Sequence, residues 1–344
     1  MTHLDEEYMT QTVITDLLSR VTHVDLLTRH GAVLGIAEVV RELGVLGSKN
    51  VNARTDELVD VIVRIEKARL YRGKGGEIMR SAVCRLIECV SLANLPLSVK
   101  QSVTLLDTLD DCIKHPLEGI SIAAVSGLRA LTRSYFPVTK TGPSDRLYGR
   151  VVDKYLKVVS TEDNAAATRG FSLAIGALPA KFIAFNGDVL RTVVKQLCEC
   201  AQIDATVGEE PDAETRRNCV KALEEIVQTV GVGEVERAEV VTTDGGTLTP
   251  FGLGKGDVEL VFETLHGSLE DYSMDKRGDV GSWVSRSIVR YAKSARYSDA
   301  VIIHTDPLSN SLAGSVCGVD GNQEFDCDEC EGECGGGVGH EGGE

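Results

Sequence analysis

The sequence predicts an all-α fold, namely a HEAT/armadillo-like helical-repeat solenoid followed by a disordered acidic C-terminal tail. Between Leu17 and Tyr291 the apolar residues recur at spacings of three and four, which is the period of one face of an α-helix. Alternating runs of β-branched residues, which are typical of strands, are few in this stretch. Similar short segments also recur along it, and such recurrence is typical of stacked helical repeats.

The recurring segments share a basic or small first residue, then small side chains that allow close approach of helices, then an apolar pair. They begin at Arg29, Arg80, Ala123, Arg169, Arg217 and Gly278. Their separations of 43 to 61 residues are near the length of a HEAT or armadillo unit, a helix pair that buries its apolar face by stacking on its neighbours. An irregular α bundle with the same amphipathic stripes is the alternative. Because no long unpatterned segment separates the units, the solenoid is favoured.

The pattern divides the chain into three parts. Residues 1–16 are an N-terminal lead-in to the first helix, or part of that helix. Residues 17–308 form the helical-repeat domain. Residues 309–344 are rich in Gly, Glu and Cys and too poor in apolar residues to pack, so we expect them to be disordered.

The ends of individual helices carry their own signals. One apolar stripe stops before Pro116, because proline cannot continue a helix, and another runs through residues 147–159. A third stripe covers residues 220–230. Asp212 lies where an acidic residue suits a helix N-terminus, and Gly231 lies where glycine ends a helix.

The segment 231–256 departs from the helical pattern. It is rich in Gly and Thr and contains a proline, a composition typical of loops. We expect a long flexible loop between two helices of the repeat domain.

The charge of the chain argues against one class of partner. The 344 residues carry 36 Lys and Arg against 52 Asp and Glu, a net charge of −16. Nine of these acids lie between residues 317 and 344, where Lys and Arg are absent, so the remainder carries only −7. A nucleic-acid binder gains affinity by neutralising phosphates, and this composition therefore predicts that nucleic acid is not a partner.

The hydropathy pattern predicts a soluble cytoplasmic protein. The sequence has no run of about 18 apolar residues and begins without a basic and apolar leader, so no membrane insertion is expected. Six cysteines lie inside helix-patterned stretches, where free thiols behave as small buried hydrophobes in a reducing compartment. A disulfide scaffold is therefore not expected.

A glycine-rich cluster at residues 73–76 includes Lys74 and invites comparison with phosphate-binding loops. The spacing and the preceding strand of such a loop are both missing, so the cluster is interpreted as a turn between helices. Asp279 precedes another helical stripe and is predicted to cap it, while Trp283 anchors one face of that helix.

The tail offers ligand types that suit zinc, in Cys327, Cys330, Cys334 and His340. A stable site also needs supporting residues around the ligands, and a Gly/Glu-rich tail without a core does not provide them. An unstructured tail is the favoured interpretation, so no metal is predicted.

Catalytic motifs are missing from the sequence. The histidines show no zinc-protease spacing, no nucleophile-elbow motif occurs, and His23, His30 and His266 fall singly within helical stretches. The chain is therefore predicted to be non-catalytic, without a cofactor.

Several segments, in the same order, resemble the tubulin-specific chaperone D family, also called β-tubulin cofactor D. The similarity extends from about Leu17 to Tyr291 and corresponds to the C-terminal half of the family's longer members. The segments that carry it begin at Arg29 (RHGA), Leu70 (LYRGKGGEIMRSAVCRLIE), Thr168 (TRGFSLAIGALP), Glu214 (ETRRNCVKAL), Gln228 (QTVGV) and Leu269 (LEDYSMDKRGDVGSWV).

This resemblance implies a function that the residue pattern alone does not. It implies a solenoid that binds β-tubulin and acts with tubulin cofactors E and C and an Arf-like small GTPase. Together these proteins assemble and dismantle the αβ-tubulin heterodimer and activate GTP hydrolysis by tubulin. The resemblance also implies an association with microtubules or the centrosome.

Four basic residues at predicted turns are candidates for the tubulin-binding or cofactor-binding surface: Arg72, Lys74, Arg169 and Arg277. The resemblance suggests that they meet an acidic surface of tubulin. The competing interpretation is structural, with these side chains packing and capping at helix termini. The alternative function is a generic HEAT-repeat scaffold or transport adaptor without tubulin activity.

Overall fold

The computed structural model describes residues 5–161, 164–202, 212–231, 240–242, 244–271 and 279–294. Within these ranges most of the chain is α-helical and the helices pack in successive pairs. The predicted all-α helical-repeat solenoid is confirmed. The predicted disordered tail, residues 309–344, lies outside the described residues.

The helices differ in length, and the long ones form the repeats. In chain order they are α1 (Glu6–Tyr8), α2 (Ile14–Arg20), α3 (Leu26–Val45), α4 (Lys49–Asn52), α5 (Thr55–Lys67), α6 (Gly76–Leu92), α7 (Val99–Ile113), α8 (Glu118–Ser134), α9 (Asp145–Tyr148), α10 (Lys154–Thr161), α11 (Ala165–Ala177), α12 (Ala180–Ile183), α13 (Gly187–Ala201), α14 (Ala213–Val230), α15 (Lys255–Gly267) and α16 (Asp279–Ser294). Single π-helical turns occur at Met9–Val13 and Gly149–Asp153, and a 3-10 turn occurs at Ser268–Glu270.

Each repeat consists of a first helix and a second helix, which pack closely on each other in the pairs α2–α3, α7–α8, α10–α11 and α13–α14. The first helices are α2, α5, α7, α10, α13 and α15, and the second helices are α3, α6, α8, α11, α14 and α16. The second helices form one layer, in which α3 packs on α6, α6 on α8, α8 on α11, α11 on α14 and α14 on α16. This order of contacts along the chain is that of a solenoid and differs from a closed bundle.

Hydrogen bonds between repeats reflect the repeat length. Arg85 Nε on α6 donates to Glu38 Oε1 on α3, 47 residues earlier, at 2.7 Å. Lys154 Nζ on α10 donates to Asp110 Oδ2 on α7, 44 residues earlier, at 2.7 Å. These separations lie within the predicted spacing of the repeats, because each bond joins corresponding parts of neighbouring units.

A single cluster of buried apolar side chains runs along the stack. The helix α11 lies deepest in it, since residues 170–178 are buried without interruption. Small residues make this depth possible. A Cβ added at Gly170 would lie 2.0 Å from the carbonyl oxygen of Ile113, and one added at Gly176 would lie 2.6 Å from Cα of Ala222.

Several helices begin at polar side chains that accept hydrogen bonds from the first-turn N–H groups, which otherwise lack partners. The capping residues are Asp5 for α1, Asp25 for α3, Ser48 for α4, Ser98 for α7, Asn164 for α11, Asn186 for α13 and Asp212 for α14. The lead-in, residues 1–16, is already helical from Glu6 onward in its described part.

Two short hairpins interrupt the helical pattern. The antiparallel strands β1 (Val138–Thr139) and β2 (Gly142–Pro143) follow α8, and β3 (Val240–Val241) pairs with β4 (Thr247–Leu248) after α14. The hairpins touch, because a Cβ at Gly246 would lie 2.0 Å from Cε of Lys140.

The second hairpin lies inside the segment predicted as a loop, residues 231–256. In its described part Leu253 is fully buried in the core and α15 already begins at Lys255. The flexibility of this segment stays a prediction. Among the described helices, none is both long and apolar enough to cross a membrane.

Candidate partner-binding edge

The beginnings of α3, α6, α8, α11 and α14 lie side by side, and we call this row of helix N-termini the turn edge. Gly75, which precedes α6, lies against Leu26, the first residue of α3, since a Cβ at Gly75 would be 2.5 Å from Leu26 Cδ2. Farther along, Arg169 of α11 reaches Asp212 at the start of α14. Residues far apart in the sequence are therefore neighbours along this edge.

Arg72 and Lys74 lie on the turn between α5 and α6, as the sequence predicts, and both are exposed. The turn is tight because Arg69, Gly73 and Gly75 adopt positive φ values. Both cations therefore stand in solvent at the turn edge.

Exposed apolar side chains of α3 lie beside this turn. Val24 precedes the helix and is 90% exposed, and Leu27 in its first turn is 77% exposed. Ile78 on α6 is also partly exposed. We call Val24, Leu27, Arg72, Lys74 and Ile78 the α3–α6 patch. It combines apolar area with two cations, and the exposed carboxylates of Asp25 and Glu77 adjoin these residues in the sequence.

The sequence analysis missed the apolar part of this patch. Val24 and Leu27 lie in a stretch with a helical apolar pattern, and that pattern does not separate exposed positions from buried ones. Asp25 marks the N-cap of α3 and so places Val24 and Leu27 at the beginning of that helix, but the sequence does not show that they are exposed.

The guanidinium group of Arg169 forms ion pairs within the protein. Its Nε lies 2.8 Å from Asp212 Oδ1, and its Nη1 lies 2.7 Å from Glu214 Oε2. The backbone carbonyl of Arg169 also accepts a hydrogen bond from Asn218 Nδ2 at 3.0 Å. These contacts fit the structural interpretation of Arg169, which fastens α11 to α14, and its role in partner binding stays a prediction.

The same contacts shift the pKa of Asp212, the residue that caps α14. Burial raises the pKa of its carboxyl, but hydrogen bonds from Thr215 and Arg169 outweigh burial and hold that pKa below its ordinary value. The carboxylate therefore stays ionised while it caps α14 and faces Arg169.

Of the four predicted basic residues, the three that the structure describes lie in two separate places. Arg72 and Lys74 lie on the turn before α6, whereas Arg169 lies on α11, with α8 in between. Arg277 lies outside the described residues.

The helix α16 begins at Asp279, so the exposed carboxyl of Asp279 is in the first turn of α16. The capping role of Asp279 stays a prediction. Trp283 is half-buried and packs against the core.

A shallow cleft opens at the turn edge between α8, α11 and α14. Its lining includes His115, Ile122, Arg169 and Arg217. Burial, and after it the positive charge of Arg80, lowers the pKa of His115, whose Nδ1 accepts a hydrogen bond from the backbone N–H of Leu117 at 3.1 Å. The arginines of the cleft are paired with carboxylates, which leaves little net charge there.

The described side chains offer no group of three or more His, Cys, Asp or Glu residues suited to a metal ion. What the turn edge provides is an exposed surface of apolar and basic groups at the α3–α6 patch. Such a surface can hold another protein through burial of apolar area and charge complementarity.

Comparison with known proteins finds a distant relative. No protein-family model matches the chain. The chain is similar to tubulin-specific chaperone D of Dictyostelium discoideum, with 22% identity over an alignment that covers 79% of this chain. The alignment covers 22% of that protein, so the chain spans about a fifth of the length of the curated relative it matches.

Proposed function

We propose that this chain is a non-catalytic helical-repeat chaperone module that binds tubulin and takes part in assembly and disassembly of the αβ-tubulin heterodimer. The observation that carries the proposal is the similarity to tubulin-specific chaperone D, which covers 79% of the chain. The described helices supply the fold that this role requires, since a stack of helices presents a broad surface to a bound subunit.

The partner in this proposal is β-tubulin. Tubulin cofactors E and C and an Arf-like small GTPase would act on the same complex, in the cytoplasm and in association with microtubules or the centrosome. Activation of GTP hydrolysis by tubulin belongs to the assembled complex, with this chain as one of its members.

The α3–α6 patch is the surface that we assign to tubulin. It offers Val24 and Leu27, which lose contact with water on binding, and Arg72 and Lys74, which attract an acidic partner. Arg169 is less suited, because its guanidinium is already held by two carboxylates.

A pull-down of purified tubulin on the immobilised full chain tests the proposal. We expect tubulin to be retained at low salt and progressively released as salt rises, since exposed charges are screened. Lack of retention at low salt would refute tubulin binding by this chain.

Two variants locate the surface. The double variant Arg72→Glu and Lys74→Glu should weaken tubulin binding about tenfold, equivalent to about 1.4 kcal/mol. The matched control is Lys100→Glu with Lys157→Glu, which changes the net charge equally at two exposed lysines of α7 and α10. Equal loss in both double variants would mean that net charge, and not the patch, governs binding.

The alternative function, a HEAT-repeat scaffold or transport adaptor, predicts a different result in the same assay. A scaffold that holds basic peptide segments would retain such peptides and fail to retain tubulin. It would also leave GTP turnover on tubulin unchanged when the cofactors are added.

A further inference from the structure

Two turns of the turn edge each contain a histidine whose ring accepts a backbone hydrogen bond. In the turn before α3, Nδ1 of His23 accepts from the backbone N–H of Asp25 at 3.0 Å. In the turn before α8, Nδ1 of His115 accepts from the backbone N–H of Leu117 at 3.1 Å. In both turns the donor lies two residues after the histidine and immediately precedes the helix. The same side-chain contact therefore stands at the beginning of two second helices.

The two histidines occupy equivalent positions in their repeats. His23 lies three residues before α3 begins, and His115 lies three residues before α8 begins. The backbone N–H of each histidine also donates to the carbonyl three residues earlier, that of Arg20 at 3.0 Å and that of Cys112 at 3.2 Å. The recurrence of these contacts in two repeats indicates that the ring is a structural part of the turn.

The hydrogen bonds require the neutral form of both rings. A ring nitrogen that accepts a hydrogen bond carries no proton, so the proton of each neutral imidazole is on Nε2. A protonated ring has two N–H donors and no acceptor, so it cannot keep this bond. Its positive charge would also stand near a helix N-terminus, where the helix dipole favours negative charge. Protonation therefore opposes the observed turn in two ways.

Other helices of this chain begin with the same contact made by a side chain that does not titrate. Asn164 Oδ1 accepts from the backbone N–H of Ala166 at 3.1 Å, at the beginning of α11. Asn186 Oδ1 accepts from the backbone N–H of Asp188 at 2.8 Å, at the beginning of α13. An amide oxygen keeps its acceptor at every pH, whereas an imidazole loses it on protonation. Only the histidine turns are therefore expected to respond to mild acid among these four.

The charged groups near His23 belong to its own turn and the helices on either side. The carboxylate of Asp25 interacts electrostatically with the ring. Arg29 Nη1, on α3, donates to the backbone carbonyl of His23 at 3.3 Å. Arg20, at the end of α2, is paired with Asp16. The ring itself is exposed and open to protons from solvent.

The charged groups near His115 come from α6 and from the cleft. On α6, Arg80 opposes protonation of the ring and Glu77 favours it. The charged residues that line the cleft beside it are Glu118, Arg169, Glu214 and Arg217. The arginines of this group are paired with carboxylates. Burial and then Arg80 lower the pKa of His115 below its ordinary value of 6.5, so the ring is neutral at neutral pH.

We propose that His23 and His115 are pH-sensitive switches, whose neutral rings hold the turns that begin α3 and α8 and whose protonation releases these turns. The turn before α3 carries Val24 and Leu27, so its release changes how the α3–α6 patch is presented. The turn before α8 borders the cleft. The switches act on the fold, whatever protein binds to the patch.

The direction of the pH effect follows from His115. Its pKa is lowered in the folded protein, so the released turn binds the proton more tightly than the closed turn does. Its contribution to stability is therefore complete above pH 6.5 and is lost as pH falls through 6.5 toward the lower folded value.

Hydrogen exchange of the full chain tests the switches. Backbone exchange is followed by mass spectrometry at about pH 7.5 and about pH 5.5, with correction for the intrinsic rate. We expect segments 21–29 and 114–121 to lose protection severalfold at the lower pH, while segments 164–168 and 186–190, which begin with asparagine, change little. An equal loss in all four segments would indicate general destabilisation and overturn the proposal, as would unchanged protection in all four.

Two kinds of variant separate the acceptor from its titration. His23→Asn and His115→Asn keep an acceptor for the N–H two residues later but carry no charge, so the mutated turn should stay protected at both pH values. His23→Ala and His115→Ala remove the acceptor, and the mutated turn should be unprotected at both. If the asparagine variants lose protection in acid as the wild type does, the proposal is wrong.

His30 provides the matched control. It is half-buried within α3, away from the turn. His30→Asn removes a titratable ring from the same helix, so segment 21–29 should respond to acid as in the wild type. Loss of the response in this variant would assign the titration to His30 and overturn the role of His23. A circular dichroism melt of each variant confirms that it is folded.

Discussion

Arg217 at the start of α14 forms an ion pair with Glu118 at the start of α8, with 2.7 Å between Nη2 and Oε1, although α11 lies between these helices in the stack. A second ion pair, between Arg129 and Glu225, joins α8 and α14 farther along. The helices α8 and α14, which both pack on α11, are therefore also joined directly to each other by ion pairs. This is feasible because α11 is made largely of small residues and lies deep in the core.

The first prediction concerns the close approach at Gly170. A Cβ there would lie 2.0 Å from the carbonyl oxygen of Ile113, a backbone atom that cannot rotate away. Gly170→Ala should therefore destabilise the fold by about 1–3 kcal/mol, which urea unfolding followed by circular dichroism measures.

The control for this substitution is Gly31→Ala. Gly31 is exposed within α3 and a Cβ there would meet nothing within 4 Å. Alanine is the better helix former, so this variant should gain about 0.5–1 kcal/mol. Similar losses in both variants would contradict the packing argument.

The second prediction concerns a buried ion pair at the end of the described stack. Arg216 Nη2 lies 2.8 Å from Asp271 Oδ2, and the two side chains are only 6% and 8% exposed. Arg216→Met leaves a buried carboxylate without this cation and should cost about 3–5 kcal/mol. The measurement is again the free energy of unfolding.

An exposed pair gives the comparison. Arg20 and Asp16 lie 2.8 Å apart with side chains 51% and 53% exposed. Arg20→Met should cost no more than about 1 kcal/mol, because solvent screens such a pair. If the Arg216 and Arg20 variants lose equal stability, burial does not determine the strength of the first pair.

The sequence was sufficient to predict the helical-repeat fold, because the apolar period and the repeat spacing are local signals. The repeat spacing also carries information on which charged residues pair. Arg169 and Asp212 lie 43 residues apart, which is one repeat, and opposite charges at that separation indicate an ion pair between neighbouring second helices. The charge spacing therefore supports the structural interpretation of Arg169, while its role in partner binding stays a prediction.

Other features of the turn edge could not be predicted from the sequence. The exposure of Val24 and Leu27 depends on which face of α3 the next repeat covers, and periodicity alone does not say which end of a stripe stays outside. This exposure is a property of packing between repeats.

The third prediction is a pH dependence at Asp212. Its pKa is lowered in the folded protein, so its contribution to stability is present above the ordinary pKa of 3.8 and is lost as pH falls through the lower folded value. At neutral pH Asp212→Ala should cost about 1 kcal/mol from the lost helix cap. The difference from wild type should shrink below about pH 4, as thermal melts across that range will show.

Asp188 provides the control for this effect. It lies in the first turn of α13 and is highly exposed, and the cap of that helix is Asn186. Asp188→Ala should change stability by only a few tenths of a kcal/mol. A constant difference between Asp212→Ala and wild type at all pH values would contradict an ionised cap.

The fourth prediction concerns GTP turnover on tubulin and rests on the proposed function. An arginine that assists hydrolysis must reach a bound nucleotide from an exposed position, and Arg72 stands on an exposed turn whereas Arg169 is held by two carboxylates. Accessory arginines of this kind raise the rate of hydrolysis by about 10³-fold or more in other GTPases. Arg72→Ala, assayed with tubulin and cofactors C and E, should therefore lower GTP turnover by orders of magnitude. Lys74→Ala should lower turnover only as far as it weakens binding.

Arg72→Lys separates the two roles of the side chain, because lysine keeps the positive charge for binding but lacks the planar fork of guanidinium donors. Normal turnover in Arg72→Lys would show that Arg72 contributes to binding alone.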